Sequence, residues 1–176
     1  MDKHNLRIAA AVGDAWPEVR AQLVDDFFDR LEVRLKAKLK GWKIEREGRF
    51  GIDAYPSFYF LKPAWEGQYG LCIQLGEYGG LVVMGVYRET KTIGKRKYSD
   101  ELFTAFARRY PTASIIRPWW EARTKMHSPA VDWRGPEVLW RIKTEDAFLK
   151  DVTKQLLEMA EITAPIIDAL VRKYKK

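Results

Sequence analysis

Cysteine and histidine are almost absent from this chain: Cys72 stands alone, and the histidines are His4 and His127. One cysteine excludes an internal disulfide and fits a reducing compartment, so a cytoplasmic protein is predicted. With two histidines and one thiol a Cys/His zinc site is excluded by count, and neither histidine has an acid or thiol nearby at catalytic or ligand spacing. Ser57, Ser114 and Ser128 sit in no Gly-x-Ser-x-Gly elbow, and there is neither a glycine-rich phosphate loop nor a dinucleotide-binding fingerprint. No apolar run approaches the roughly 18 residues of a membrane span, so no membrane partner is predicted. The start, Met1-Asp2-Lys3-His4-Asn5, lacks the apolar stretch of a signal peptide. Repeats and low-complexity tracts are missing as well.

What is present is a core. Of 176 residues 47% are hydrophobic and 13% aromatic, with seven tryptophans, enough for one domain spanning 1–176. From Tyr55 to Tyr87 three apolar, aromatic and β-branched runs are punctuated by Pro63 to Gln68 and Gly76 to Gly80. That rhythm predicts an antiparallel meander. Large apolar residues at the odd positions of Tyr69–Leu75 put one face on a core. Leu81–Tyr87, apolar at both parities, predicts a strand inside the sheet with both faces covered. Trp42–Glu47 alternates apolar with charged residues, as a guarded edge strand does. Thr112–Arg117 adds a short candidate strand.

Two long helices flank the meander. Val19, Leu23, Phe27, Leu31, Leu35 and Leu39 recur every four residues from Pro17 onward, with Gly41 as the stop. A short separate helix is expected at Leu6–Val12, ended by Gly13. Thr144 is expected to cap a closing helix whose stripe runs Phe148, Leu149, Val152, Leu156, Met159, Ile162, Ile166, Ile167 and Leu170, with a kink at Pro165. Between them Ser99 or Asp100 caps a helix carrying Leu102, Phe103 and Phe106. Thr90–Lys97 reads as a mobile loop and 123–136 as a surface connection anchored by tryptophans. The fold class is therefore α+β: an antiparallel β-meander of about four or five strands, packed by long N- and C-terminal helices on one face.

The formal charge is +7, unevenly spread. Residues 1–33 hold seven acids and four bases, whereas 34–50 hold seven bases and two acids. Arg88, Lys91, Lys95, Arg96 and Lys97 crowd ten residues around Gly94. Such clusters attract acidic partners, nucleic acid above all, although bases at helix ends also complement the macrodipole. Trp119 and Trp120, flanked by Arg117 and Arg123, are adjacent residues that cannot both point inward from an extended segment. Arg88, Lys91, Lys95, Arg96, Lys97, Trp119 and Trp120 are the candidate nucleic-acid contacts. A different chemistry is open at Glu89-Thr90-Lys91, since a strand ending in Glu-x-Lys is how two-carboxylate nucleases present a magnesium ligand and a lysine. With Asp53 as the second acid, Asp53, Glu89 and Lys91 form the alternative catalytic set. Mg²⁺ is required only on that alternative, and no cofactor otherwise.

Tyr59-Phe60-Leu61-Lys62-Pro63-Ala64-Trp65, then Tyr69–Leu75, then Met84-Gly85-Val86 resembles the C-terminal accessory region of prokaryotic PD-(D/E)XK nuclease superfamily proteins. The tryptophan-rich segments at Trp119-Trp120 and Asp132-Trp133 and the helix Phe148–Leu170 extend the resemblance over about residues 15–172. In those proteins the nuclease motifs lie upstream of this region, so the resemblance lends no catalytic residue. It implies a non-catalytic recognition module of a nucleic-acid-processing or phage-defence system, binding nucleic acid or a partner protein such as a nuclease or helicase. A minimal magnesium nuclease and a purely protein-binding subunit are the alternatives.

Overall fold

The computed structural model describes residues 3–50, 52–76, 80–94, 96–127 and 130–174. Helix α1 (Lys3–Lys38) leads into strand β1 (Lys43–Glu47) and β2 (Ser57–Leu61), followed by β3 (Tyr69–Leu75) and β4 (Val82–Arg88). A short α2 (Thr90–Ile93) and α3 (Asp100–Arg109) precede β5 (Ser114–Ile116) and β6 (Trp120–Lys125). Helices α4 (Pro136–Thr144) and α5 (Asp146–Tyr174) close the chain. The strands form one antiparallel sheet in the order β1-β2-β3-β4-β6-β5.

The α+β class, the meander and the flanking helices are as expected, but the sheet has six strands. The additional strand is β6, which pairs with β4 at its centre. Its sequence, Trp-Glu-Ala-Arg-Thr-Lys, carries the charge of a loop, and it can lie inside a sheet because Glu121 meets Arg88 there at 2.9 Å. Three further corrections concern helices. The N-terminal helix does not break at Gly13 or Pro17: Pro17 leaves the Gly13 carbonyl without its amide partner, but residues 12–19 are exposed and water can serve it. Thr144 ends α4 rather than capping the last helix, its hydroxyl donating to the Trp140 carbonyl at 2.8 Å. Thr90–Ile93 is a helical turn, capped by the Glu89 side chain accepting from the Lys91 N–H.

The stripes of α1 and α5 meet one sheet face. Phe27, Leu31 and Leu35 of α1 and Phe148, Val152, Leu156 and Met159 of α5 pack with Phe58, Phe60, Leu71, Ile73, Met84 and Val86. The Lys62-Pro63-Ala64-Trp65 segment is a latch onto α5: Lys62 Nζ and Trp65 Nε1 donate to the Asp168 carboxylate at 2.6 and 2.8 Å. Within the sheet β4 and β6 approach so closely at Gly85 that a Cβ there would lie 2.2 Å from the Ala122 carbonyl oxygen. Only glycine fits that position.

Candidate functional site

Strand parity decides which residues face away from the helices. If Phe58, Phe60, Leu71, Ile73, Met84 and Val86 point to the core, then Ser57, Tyr59, Cys72, Gln74, Val83, Gly85 and Tyr87 point to the other side. No helix is packed there among the described residues. Strand β4 is buried at both parities as expected, apart from the half-buried Tyr87, but on this face its cover is side chains of neighbouring strands and not a helix. Instead, a satellite cluster of Cys72, Val83 and Trp120, packed by Tyr59 and Tyr87, floors an open cleft of about 830 Å³.

The register makes the cleft concave. Tyr59 pairs with Cys72, and Cys72 with Gly85, so two small residues lie beside a large one. The rings then meet edge to face, Tyr59 with Tyr87 at 5.5 Å between centroids and Tyr87 with Trp120 at 6.4 Å. Trp119 stands at one rim, 53% exposed, and Tyr55 at another, 52% exposed. Arg123 and, from the β1–β2 end, Glu47, Asp53, Ser57 and Gln74 complete the wall. Burial pushes the Tyr87 phenol up to about 12, helped by Glu89, to which its hydroxyl donates at 3.4 Å. Burial likewise raises Tyr59, whose hydroxyl donates to Glu47 at 3.3 Å, and raises the wholly buried Cys72 thiol. At neutral pH the cleft floor is thus uncharged aromatic surface, and Cys72 is a packing residue rather than a nucleophile.

The predicted contacts separate into engaged and available groups. Arg88 is 2% exposed; besides Glu121 it donates to the Arg96 carbonyl at 2.9 Å and lies 4.2 Å from the Tyr98 ring. A side chain so enclosed is not a surface phosphate contact. Arg96 is partly committed, donating to Gln68 Oε1 and stacking on Tyr174 at 4.4 Å. Lys91 and Lys97 are exposed, and Lys95 lies outside the described residues. Trp119 and Trp120 diverge as the parity argument requires, one exposed and one buried at 3%. Tyr98 ties the basic segment to this corner, its hydroxyl donating to the Pro118 carbonyl at 3.2 Å with Arg117 over its ring at 5.1 Å. Of Lys97, Tyr98, Arg117 and Trp119 only Trp119 lines the cleft; Tyr98, held between Arg88 and Arg117, sits with Arg88, whose side chain shares the parity of Met84 and Val86.

The alternative catalytic set is not assembled. Asp53 sits in the β1–β2 turn, accepting from the Arg49 N–H at 2.7 Å, beside the level of Ser57, Gln74 and Val83. Glu89 follows the opposite end of β4, six residues from Val83, or about 20 Å along the strand at ~3.3 Å per residue. Ligand oxygens must lie about 2.0–2.6 Å from one ion, which this spacing forbids. Among the described residues no group of three or more His, Cys, Asp or Glu side chains could hold a metal ion. Among the same residues no helix is long and apolar enough to cross a membrane.

Sequence reasoning missed Tyr59 and Tyr87 as site residues and placed Arg123 only as a flank of the Trp119–Trp120 pair. Their common face follows from strand register, for which the sequence carries only the alternation within each strand. Comparison with known proteins yields no matching family model, no matching curated protein and no matching solved structure.

Proposed function

We propose that the chain is a non-catalytic recognition module that binds single-stranded nucleic acid on the uncovered face of its sheet. The observation that carries this reading is the pair of half-buried rings Tyr59 and Tyr87, braced by the buried Trp120, on a sheet face without a covering helix among the described residues, with Trp119 exposed beside it. Unstacked bases offer π-faces that such a platform takes up without regard to sequence. Lys91 and Lys97, exposed in the segment after β4, and Arg117, exposed two residues before Trp119, are cations available to the backbone, in keeping with the +7 charge. A duplex hides its bases in the stack, so a single strand is the better fit.

Fluorescence anisotropy with short labelled oligonucleotides tests this. Single strands are expected to bind and duplex of the same length to bind less well. Trp119→Ala is expected to weaken binding by about 1–3 kcal/mol, the usual worth of one base–aromatic stack. Joint replacement of Lys91 and Lys97 by Ala should flatten the log–log salt slope by roughly 1.4, at ~0.7 per single-strand phosphate. Absence of binding at low salt would refute the reading. It would move the function toward partner-protein binding, which has its own observation in Val12, Trp16 and Val19, exposed at i, i+4 and i+7 on α1.

A further inference from the structure

The polar end of the cleft carries information that stacking alone does not use. Glu47 and Asp53 both line it, and they are neighbours: a Cβ placed on Gly48 would sit 3.1 Å from the Asp53 Cβ. Each carboxylate is oriented by one internal donor, Glu47 Oε2 by the Tyr59 hydroxyl and Asp53 Oδ2 by the Arg49 N–H. Each engaged oxygen keeps a second lone pair, and the other oxygen of each has no partner among the described residues, so either carboxylate can still accept from two donors. The donors nearby are largely committed. Gln74 Nε2 uses one of its two N–H groups on Ser57 Oγ at 3.2 Å, and Ser57 Oγ donates to the Tyr55 carbonyl at 3.0 Å. What this end presents is mostly acceptors.

The same hydrogen bond holds Tyr55 in place. Its φ is 60°, a left-handed backbone that a bulky residue rarely adopts and keeps only when its surroundings enforce it. The strained turn sets the Tyr55 ring at the rim of the acceptor end, while Trp119 stands at the other rim. Arg123 is the single guanidinium lining the cleft among the described residues, opposite the acids in sign.

Resting on the stacking reading above, we propose that the cleft selects guanine among the bases of a single strand. Guanine alone has two adjacent N–H groups, N1–H and N2–H₂, on one edge, which a carboxylate can accept in parallel. Its O6 and N7 are acceptors on the remaining edge, the pair that an arginine reads. Adenine places the N1 lone pair where guanine has a donor, so a carboxylate there is repelled. Cytosine N3 does the same, and the carbonyls flanking the uracil or thymine N3–H oppose carboxylate oxygens. Glu47 or Asp53 on the donor edge and Arg123 on the acceptor edge therefore form a pattern complementary to guanine, with Tyr59 and Tyr87 beneath the ring.

The test uses the full chain and an oligothymidylate carrying one variable central base, read by tryptophan quenching and anisotropy. Guanine is expected to bind on the order of 5- to 150-fold more tightly than adenine, the ~1–3 kcal/mol that a bidentate base contact discriminates. Inosine, which lacks the N2 amine, should fall between them. Glu47→Gln and Asp53→Asn should each bring the guanine-to-adenine ratio toward one, with melting temperature reporting that the variants are folded. Equal affinity for all bases, still reduced by Trp119→Ala, would overturn guanine selection and leave the stacking platform standing. No binding of any oligonucleotide would overturn both. Uptake of a trimethyllysine peptide in place of oligonucleotides would also overturn the proposal, because aromatic rings with carboxylates then serve an ammonium cation.

Discussion

Trp133→Ala is expected to lower the free energy of unfolding by about 3–5 kcal/mol, as truncation of a fully buried tryptophan does. Trp133 is the ring on which both long helices close. It meets Phe27 at 5.2 Å and Phe28 at 5.7 Å on α1, and Phe148 at 6.1 Å on α5. Its indole N–H donates to the Ala130 carbonyl at 3.0 Å, so truncation also strands a buried acceptor. The surrounding rings come from separate elements already tied elsewhere and cannot collapse freely into the space. Trp133→Phe, which keeps most of the volume, should cost clearly less. Urea unfolding followed by circular dichroism measures both, and a Trp133→Ala cost below about 1 kcal/mol would contradict this account of the core.

Glu121→Ala is expected to cost a similar amount, about 3–5 kcal/mol, by another route: it leaves the Arg88 guanidinium buried and unpaired. Glu121 is the residue at which the β4–β6 register shifts, between the Val86–Ala122 and Tyr87–Trp120 pairs. That bulge turns its side chain inward, where Oε1 accepts from the Ser99 N–H at 2.7 Å and Oε2 from Arg88. Replacing both charges with apolar residues of similar volume should recover much of the loss, because neither desolvated ion then remains. Burial raises the Glu121 carboxyl above its ordinary value, against the pull of Ser99 and Arg88. A raised carboxyl favours the native state below its unfolded pKa, and that contribution is lost as pH rises through the folded value. Glu121→Gln, which cannot ionise, should therefore remove this part of the decline in stability above about pH 4.5, seen in melting temperature against pH. An unchanged pH profile would assign the decline to other groups.

Both long helices were legible in the sequence because their stripes persist over many turns, and Phe27, Leu31, Leu156 and Met159 are buried as their spacing requires. The meander was legible because Gly and Pro interrupt its apolar runs. What escaped was written in contacts distant along the chain. Nothing local marks Arg88 as buried, since its partner is 33 positions away, and β6 looks like a loop until that partner is known. Helix α4 was hidden in a stretch whose proline, Pro136, reads as a loop residue but stands at the first helical turn. The Trp119–Trp120 divergence followed from geometry alone. The cleft did not, because Tyr59 and Tyr87 are joined only by the pairing of β2, β3 and β4.

Helix α1 has one more implication. Seventeen of its residues precede Arg20, about 26 Å of helix, and from Val12 to Val19 every residue is exposed. The Glu18–Arg49 ion pair at 2.8 Å ties that stretch to the body near its inner end. The eight exposed residues from Val12 to Val19 make about two turns, short of the length at which an isolated helix holds in water, and Gly13 and Pro17 both tilt that stretch toward coil. One unbroken helix thus spans two regimes of stability. Its inner turns, carrying Val24, Phe27, Leu31 and Leu35, melt only with the whole domain. The exposed turns from Val12 to Val19 lack that burial, so opening them costs little free energy and leaves the sheet and its cleft intact.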